Sequence, residues 1–284
     1  MRSIILSSIA ASALAADYAV DYALSGADWG ELCQTGREQS PVDLSDLTQN
    51  HYLSLDLQGY EDFAGRVYNL GTTAQVNFDE QNADARMTLV RGDGSVSEWV
   101  PLQFHYHAPS EHTIGGRQLD LELHFVHLTP EGGLGAVLGV FFDREEGGNR
   151  HNDFIEAQDF GMLSSGQGDW SSSGQIPLDD LIDELEESSF VSYDGSLTTP
   201  PCTEGVRWTV SMNVQHISDE QLERITRAWA GDYDFARGAG NFRLPQPLHG
   251  RTLWYHDSGD NLYGDMGAAA LGAAATALVA LLSF

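Results

Sequence analysis

Short runs in which apolar and polar residues alternate fill most of the chain from 17 to 256, and Gly, Asp, Asn and Pro punctuate them. Side chains of a strand point to opposite faces in turn, so this period of two predicts strands joined by turns. The segments Arg66-Val-Tyr-Asn-Leu-Gly71, Gln75-Val-Asn-Phe78 and Arg86-Met-Thr-Leu-Val90 follow it. Arg91-Gly92-Asp93-Gly94 then places an Asp-Gly pair between two such runs, which predicts a hairpin. Gly135 to Phe142 (GAVLGVFF) is apolar throughout and suits a strand buried on both faces.

Helical spacing is scarce. Leu178, Leu181, Ile182 and Leu185 fall on one face of a predicted helix from Pro177 to Ser188, whose acidic residues form the solvated face. A second helix is predicted over Ser218–Ala230, opened by a Ser218/Gln221 capping box and closed by Gly231, with Leu222, Ile225 and Trp229 as its apolar stripe. There is no internal repeat. The expected fold class is mainly β (α+β): one domain over 17–256, built on a large, twisted, mostly antiparallel central sheet with a few short surface helices.

The ends have a different composition. Residues 1–16 (MRSIILSSIAASALAA) carry one arginine, an apolar run and a small-x-small site, the pattern of a secretory signal peptide. Residues 257–266 form a polar spacer, and 267–284 are an uncharged apolar tail. With small residues at Ser258-Gly259-Asp260 and no basic residue after Arg251, the tail fits a GPI attachment signal better than a spanning helix, and that better than a low-complexity end; the first two imply membrane attachment at the cell surface. Export permits a disulfide, and the two cysteines, Cys33 and Cys202, are expected to pair.

Charge removes one class of partner. With 42 acidic residues against 14 basic ones, all arginine, the net charge is -28, which excludes a nucleic-acid binder that works by neutralising phosphates. Such a surface stays hydrated and soluble.

The candidate chemistry lies in histidines at strand spacing. Gln103, His105 and His107 share one face of a strand, and Glu122, His124 and Val126 share one face of another. A lone strand histidine is more often a core or surface group. Three imidazoles from two strands are the set a catalytic zinc needs, with a fourth position left for water. Gln103 and Glu122, two residues before His105 and His124, could accept the free N–H of each imidazole. His127 lies on the other face from His124 and reads as packing. Spacing alone does not name the reaction.

Five separated blocks in order, GREQSPVDL, QFHYHAPSEHT, ELHFVH, GSLTTPPCTEGVRW and NFRLPQPLHGR, resemble the α-class carbonic anhydrases over about residues 22–252. The resemblance implies Zn2+ held by His105, His107 and His124, and a zinc-bound hydroxide that converts CO2 to bicarbonate. It implies that Thr198 and Glu111 orient the nucleophile, that Val126, Val137, Leu197, Val206 and Trp208 wall the CO2 pocket, and that Thr199 lines its polar side. Tyr22 matches a pocket tyrosine, His112 and Tyr193 brace the site from beneath, and Cys33–Cys202 matches the disulfide of extracellular members. One position departs from the pattern: where fast members carry a shuttle histidine, this chain has Thr72 in Asn69-Leu-Gly-Thr72. The alternative is a catalytically silent, carbonic-anhydrase-like binding module at the cell surface. Such a module is expected to lack one or more of the zinc histidines, and this chain has all three.

Overall fold

The computed structural model describes residues 20–163, 167–229 and 240–259. The predicted leader, the tail and most of the polar spacer lie outside the described residues, as does Gly231. No helix among the described residues is long and apolar enough to cross a membrane.

Fourteen strands are found among the described residues: β1 (Leu47–Gln49), β2 (Ser54–Gln58), β3 (Phe63–Asn69), β4 (Ala74–Asn77), β5 (Arg86–Val90), β6 (Val96–His107), β7 (Thr113–Ile114), β8 (Arg117–Gln118), β9 (Leu121–Leu128), β10 (Leu134–Phe142), β11 (Trp170–Ile176), β12 (Phe190–Ser196), β13 (Glu204–Ser211) and β14 (Leu253–His256). All but β7 and β8 join one sheet, whose main path runs β1-β14-β12-β13-β10-β9-β6-β4-β3-β11. Within it β1 pairs with β14 and β10 with β13 in parallel, and the other neighbours are antiparallel. The expected hairpin forms at Arg91–Ser95, with Gly94 at φ 79° in the left-handed region that a residue without a β-carbon enters freely.

The α-helices among the described residues are α1 (Leu32–Thr35), α2 (Asp153–Glu156), α3 (Leu178–Glu186) and α4 (Asp219–Trp229). The first turn of α3 is capped from a distance, since Asp62 Oδ1 accepts from the backbone N–H groups of Leu178 and Asp179 at 2.7 and 3.2 Å. Its four predicted apolar residues are buried and its acidic face is exposed. At α4 the capping box closes, with Gln221 N–H donating to Ser218 Oγ at 3.2 Å and Ser218 N–H to Gln221 Oε1 at 3.4 Å.

Strand parity divides the central sheet between two cores. Phe104, Tyr106, Leu123 and Phe125 point to one side, into an apolar core they share with residues of α2, α3 and α4. On the other side Val126, Val137, Val206, Val210 and Trp208 form a second apolar layer. The histidines of β6 and β9 that share parity with Val126 face this second side.

Candidate metal centre

Antiparallel pairing puts His105 directly opposite His124, and His107 opposite Glu122. The three rings lie with centroids 4.7 to 5.4 Å apart, and one nitrogen from each falls within 4.8 Å of the other two. Each ring has its remaining nitrogen tied down. His105 Nδ1 is 3.0 Å from Gln103 Oε1, His107 Nδ1 is 2.6 Å from the backbone oxygen of Asn241, and His124 Nε2 is 2.8 Å from Glu122 Oε1. All three acceptors are oxygens, so each tied nitrogen is the N–H of a neutral imidazole. Nε2 of His105, Nε2 of His107 and Nδ1 of His124 are left as lone-pair donors. His107 Nε2 is buried with no hydrogen-bond partner, which is costly unless a cation takes it.

Burial holds the imidazoles neutral, with the neighbouring rings adding to the effect for His105 and His107. His105 is held well below the ordinary histidine range, His107 at about 3, and His124 lower than usual despite Glu122 beside it. Three neutral nitrogens fit a zinc ion, which binds the deprotonated ring nitrogen.

A polar chain runs beneath. Glu122 Oε2 accepts from the backbone N–H groups of Glu111 and His112, both at 2.8 Å, and Oε1 accepts from His112 Nδ1 at 2.6 Å as well as from His124. Burial acts to raise this carboxyl, but His112 and His124 hold it well below the ordinary range. His112 Nε2 then meets Tyr193 Oη at 2.6 Å, and Tyr193 meets Ser40 Oγ at 2.9 Å. A β-carbon on Gly139 of β10 would come within 3.2 Å of Glu122 Oε1, so a glycine there leaves room for the carboxylate.

Glu111 is buried beside the ring cluster. Oε1 accepts from the backbone N–H of Arg243 at 2.8 Å, while Oε2 makes no hydrogen bond among the described residues. Burial pushes its carboxyl well above the ordinary range, and the nearby Thr198 hydroxyl opposes that shift. Thr198 is itself buried, in the loop between β12 and β13, and Thr199 beside it is half-buried. Val137 stands opposite Val126 on one neighbouring strand and opposite Trp208 on the other. Val206 and Trp208 complete this apolar layer, and Leu197 packs against it.

The sheet, its helices, the three clustered histidines and the apolar wall now stand together. A sequence profile of the family described as eukaryotic-type carbonic anhydrase matches residues 25–257. This chain belongs to that family. Alpha carbonic anhydrase 3 of Arabidopsis thaliana is 34% identical over 236 residues, covering 81% of this chain and 78% of the relative. The carbonic anhydrase Cah3 of Chlamydomonas reinhardtii, solved in complex with acetazolamide, superposes with a TM-score of 0.65 at 30% identity, covering 80% of this chain and 94% of that one. Dioscorin, solved in complex with ascorbate, has a TM-score of 0.66 at 27% identity, covering 83% of this chain and 93% of that one. Carbonic anhydrases interconvert CO2 and bicarbonate, and this chain is an enzyme of that kind.

Cys33 and Cys202 form a disulfide with Cα atoms 5.1 Å apart. Tyr22 is buried edge-on to Trp29, near enough to Glu111 for that charge to add to burial in raising its hydroxyl. Thr72 is half-buried, and its carbonyl accepts from Asn241 Nδ2 at 2.7 Å. His127 packs on the far side with Tyr60. Sequence reasoning missed Asn241 and Arg243. Asn241 ties His107 through its backbone oxygen and also binds Ala108 N, Thr72 O and Tyr106 O through its amide. Both residues sit in the NFRLPQPLHGR block, which marked their importance without indicating a contact.

Proposed function

We propose that this chain is a zinc-dependent carbonic anhydrase in which His105, His107 and His124 hold the metal. The observation that carries the reading is the orphaned Nε2 of His107, buried beside two more imidazoles whose other nitrogens are already engaged. A zinc ion held by three such nitrogens would supply Lewis acidity that makes water acidic near neutral pH. The protein supplies the rest. Gln103, the Asn241 carbonyl and Glu122 fix the tautomers and the aim of the rings. Glu111, when ionised, accepts a hydrogen bond from the Thr198 hydroxyl, so that the Thr198 oxygen is left only to accept; this orients a protonated ligand and disfavours one with no proton to give. Val126, Val137, Leu197, Val206 and Trp208 offer CO2, which has no charge, a wall without hydrogen-bonding demands, and Thr199 marks the polar side.

The products of hydration are bicarbonate and a proton. Thr72 cannot ferry a proton at neutral pH, so proton release depends on buffer or on another group at the rim. The apolar leader, the disulfide and the apolar tail support export and attachment at the cell surface, by a GPI anchor or the tail itself.

The test is stopped-flow CO2 hydration by the purified protein before and after a chelator, then with zinc restored. Activity that follows the metal at one ion per chain supports the reading. A folded protein carrying zinc without activity would return the chain to the binding-module alternative.

A further inference from the structure

The sequence block GREQSPVDL reaches the site through Ser40, which meets Tyr193, and its Gln39, given no role above, is almost wholly buried. Its side-chain amide is fully engaged. Nε2 donates to the backbone oxygen of Cys202 at 3.0 Å and to Glu204 Oε1 at 2.9 Å, while Oε1 accepts from Arg243 Nη1 at 3.0 Å.

Its two ends lead to the two groups that must meet above the metal centre. On one side, Cys202 closes the Thr198 loop: its N–H donates to Thr199 O at 2.8 Å, and Leu197 N–H donates to Thr203 O at 3.0 Å. Cys202 has φ 55°, a left-handed conformation that a residue with a β-carbon keeps only when its surroundings hold it. On the other side, Arg243 presents its backbone N–H to Glu111 Oε1. The Arg243 guanidinium is buried and pinned by Gln39, by Ser40 O at 2.7 Å and by Cys33 O at 2.7 Å. The local chain is built to receive this amide, since a β-carbon on Gly36 would run into Gln39 Nε2 and Glu204 Oε1.

We propose that Gln39 is a positioning residue for the reaction: its amide is a strut that sets the spacing between the Thr198 loop and the Arg243 N–H that holds Glu111. The role rests on the functional reading above. Gln39 touches neither metal nor substrate, and it acts through Cys202 on one side and Arg243 on the other. A shift of an ångström between Thr198 and Glu111 would weaken both the orientation of the nucleophile and the rejection of ligands that lack a proton.

The test uses Gln39→Met, which removes both ends of the strut, and Gln39→Glu, which keeps an acceptor for Arg243 and loses the donors to Cys202 and Glu204. Zinc content, CO2 hydration, inhibition by thiocyanate relative to a sulfonamide, and amide hydrogen exchange are measured on the full chain. For Q39M the expectation is one zinc per chain, kcat lower by about tenfold to a hundredfold, and thiocyanate binding gained relative to the sulfonamide. Exchange should accelerate at residues 198–203 and at Arg243 but not in β9. Q39E should accelerate exchange at 198–203 while sparing Arg243, and it carries the test if Q39M does not fold. Wild-type exchange and anion discrimination in the folded variants would overturn the proposal, as would a loss of kcat that only matches lost zinc or lost folded protein. A zinc-loaded wild type with no CO2 hydration would instead sink the functional reading, while the exchange measurements would still decide whether Gln39 positions the loop.

Discussion

Glu122 Oε1 lies 2.8 Å from His124 Nε2, and the same oxygen also accepts the Nδ1–H of His112, so one carboxylate orients two imidazoles, one of them in the three-histidine cluster. Glu122→Gln cannot reproduce this. Its amide would turn two hydrogens either to the two imidazole N–H groups or to the two backbone N–H groups of Glu111 and His112. The expected result is zinc affinity lower by about 10- to 100-fold, read by competition with a chromophoric chelator. Unchanged affinity in a folded variant would show that His124 is oriented by other means.

Asn241→Ala should separate support from ligation. It keeps the backbone carbonyl that receives His107 but strands the buried Ala108 N–H and takes a donor from Thr72 O and Tyr106 O. Tyr106 O retains the Thr73 hydroxyl at 2.6 Å. Two groups left unmet correspond to a loss of about 2–4 kcal/mol in urea unfolding. A loss below about 0.5 kcal/mol would mean that water replaces the amide.

The far side of the sheet carries a pH dependence. Tyr60 donates its hydroxyl to His127 Nε2 at 2.6 Å, and His127 Nδ1–H donates to Phe125 O at 2.9 Å, which fixes a neutral ring. Burial lowers its pKa from 6.5 to about 4. Above pH 6.5 both folded and unfolded chains hold this ring neutral. As pH falls from 6.5 towards 4, the unfolded chain takes up the proton and the folded one does not, so stability is lost, by roughly 3 kcal/mol once pH is below both values. Urea midpoints from pH 8 to 4 should therefore fall less steeply in His127→Gln than in the wild type. Parallel curves would contradict the assignment.

Thr72 predicts a rate limited by proton release. CO2 hydration at saturation should rise with imidazole concentration, and Thr72→His should lift the low-buffer rate by about tenfold or more. The Asn241 bond to the Thr72 carbonyl holds the backbone in either case. A wild-type rate indifferent to buffer would show that another group already carries the proton.

The parts of the site that were legible in the sequence are those set by strand parity. His105 with His107, and His124 with Glu122, follow from a period of two, and the same parity put Val126 on the site face. The buried strand at Gly135–Phe142 was legible because it is apolar throughout. β11 was not, because Trp170-Ser-Ser-Ser-Gly-Gln-Ile176 lies at a sheet edge, where solvent imposes no alternation. Asn241 was illegible for another reason: the group that orients His107 is a backbone carbonyl, which every residue has, and only tertiary folding selects it. Gln39 and Arg243 stood within blocks the family resemblance marked, but a block does not tell which polar atoms meet.

The parts that support the histidines come from far apart along the chain: Gln39 and Ser40 near its start, Glu122 near its middle, and Asn241 and Arg243 near its end. A ribosome releases them in that order. Until residue 241 has emerged, β6 and β9 can pair, yet His107 has no acceptor for its N–H and Glu111 has no Arg243. A growing chain therefore holds three histidines without a finished binding site, and full metal affinity arrives only with the completed domain. Contacts of such long sequence separation also make for slow folding.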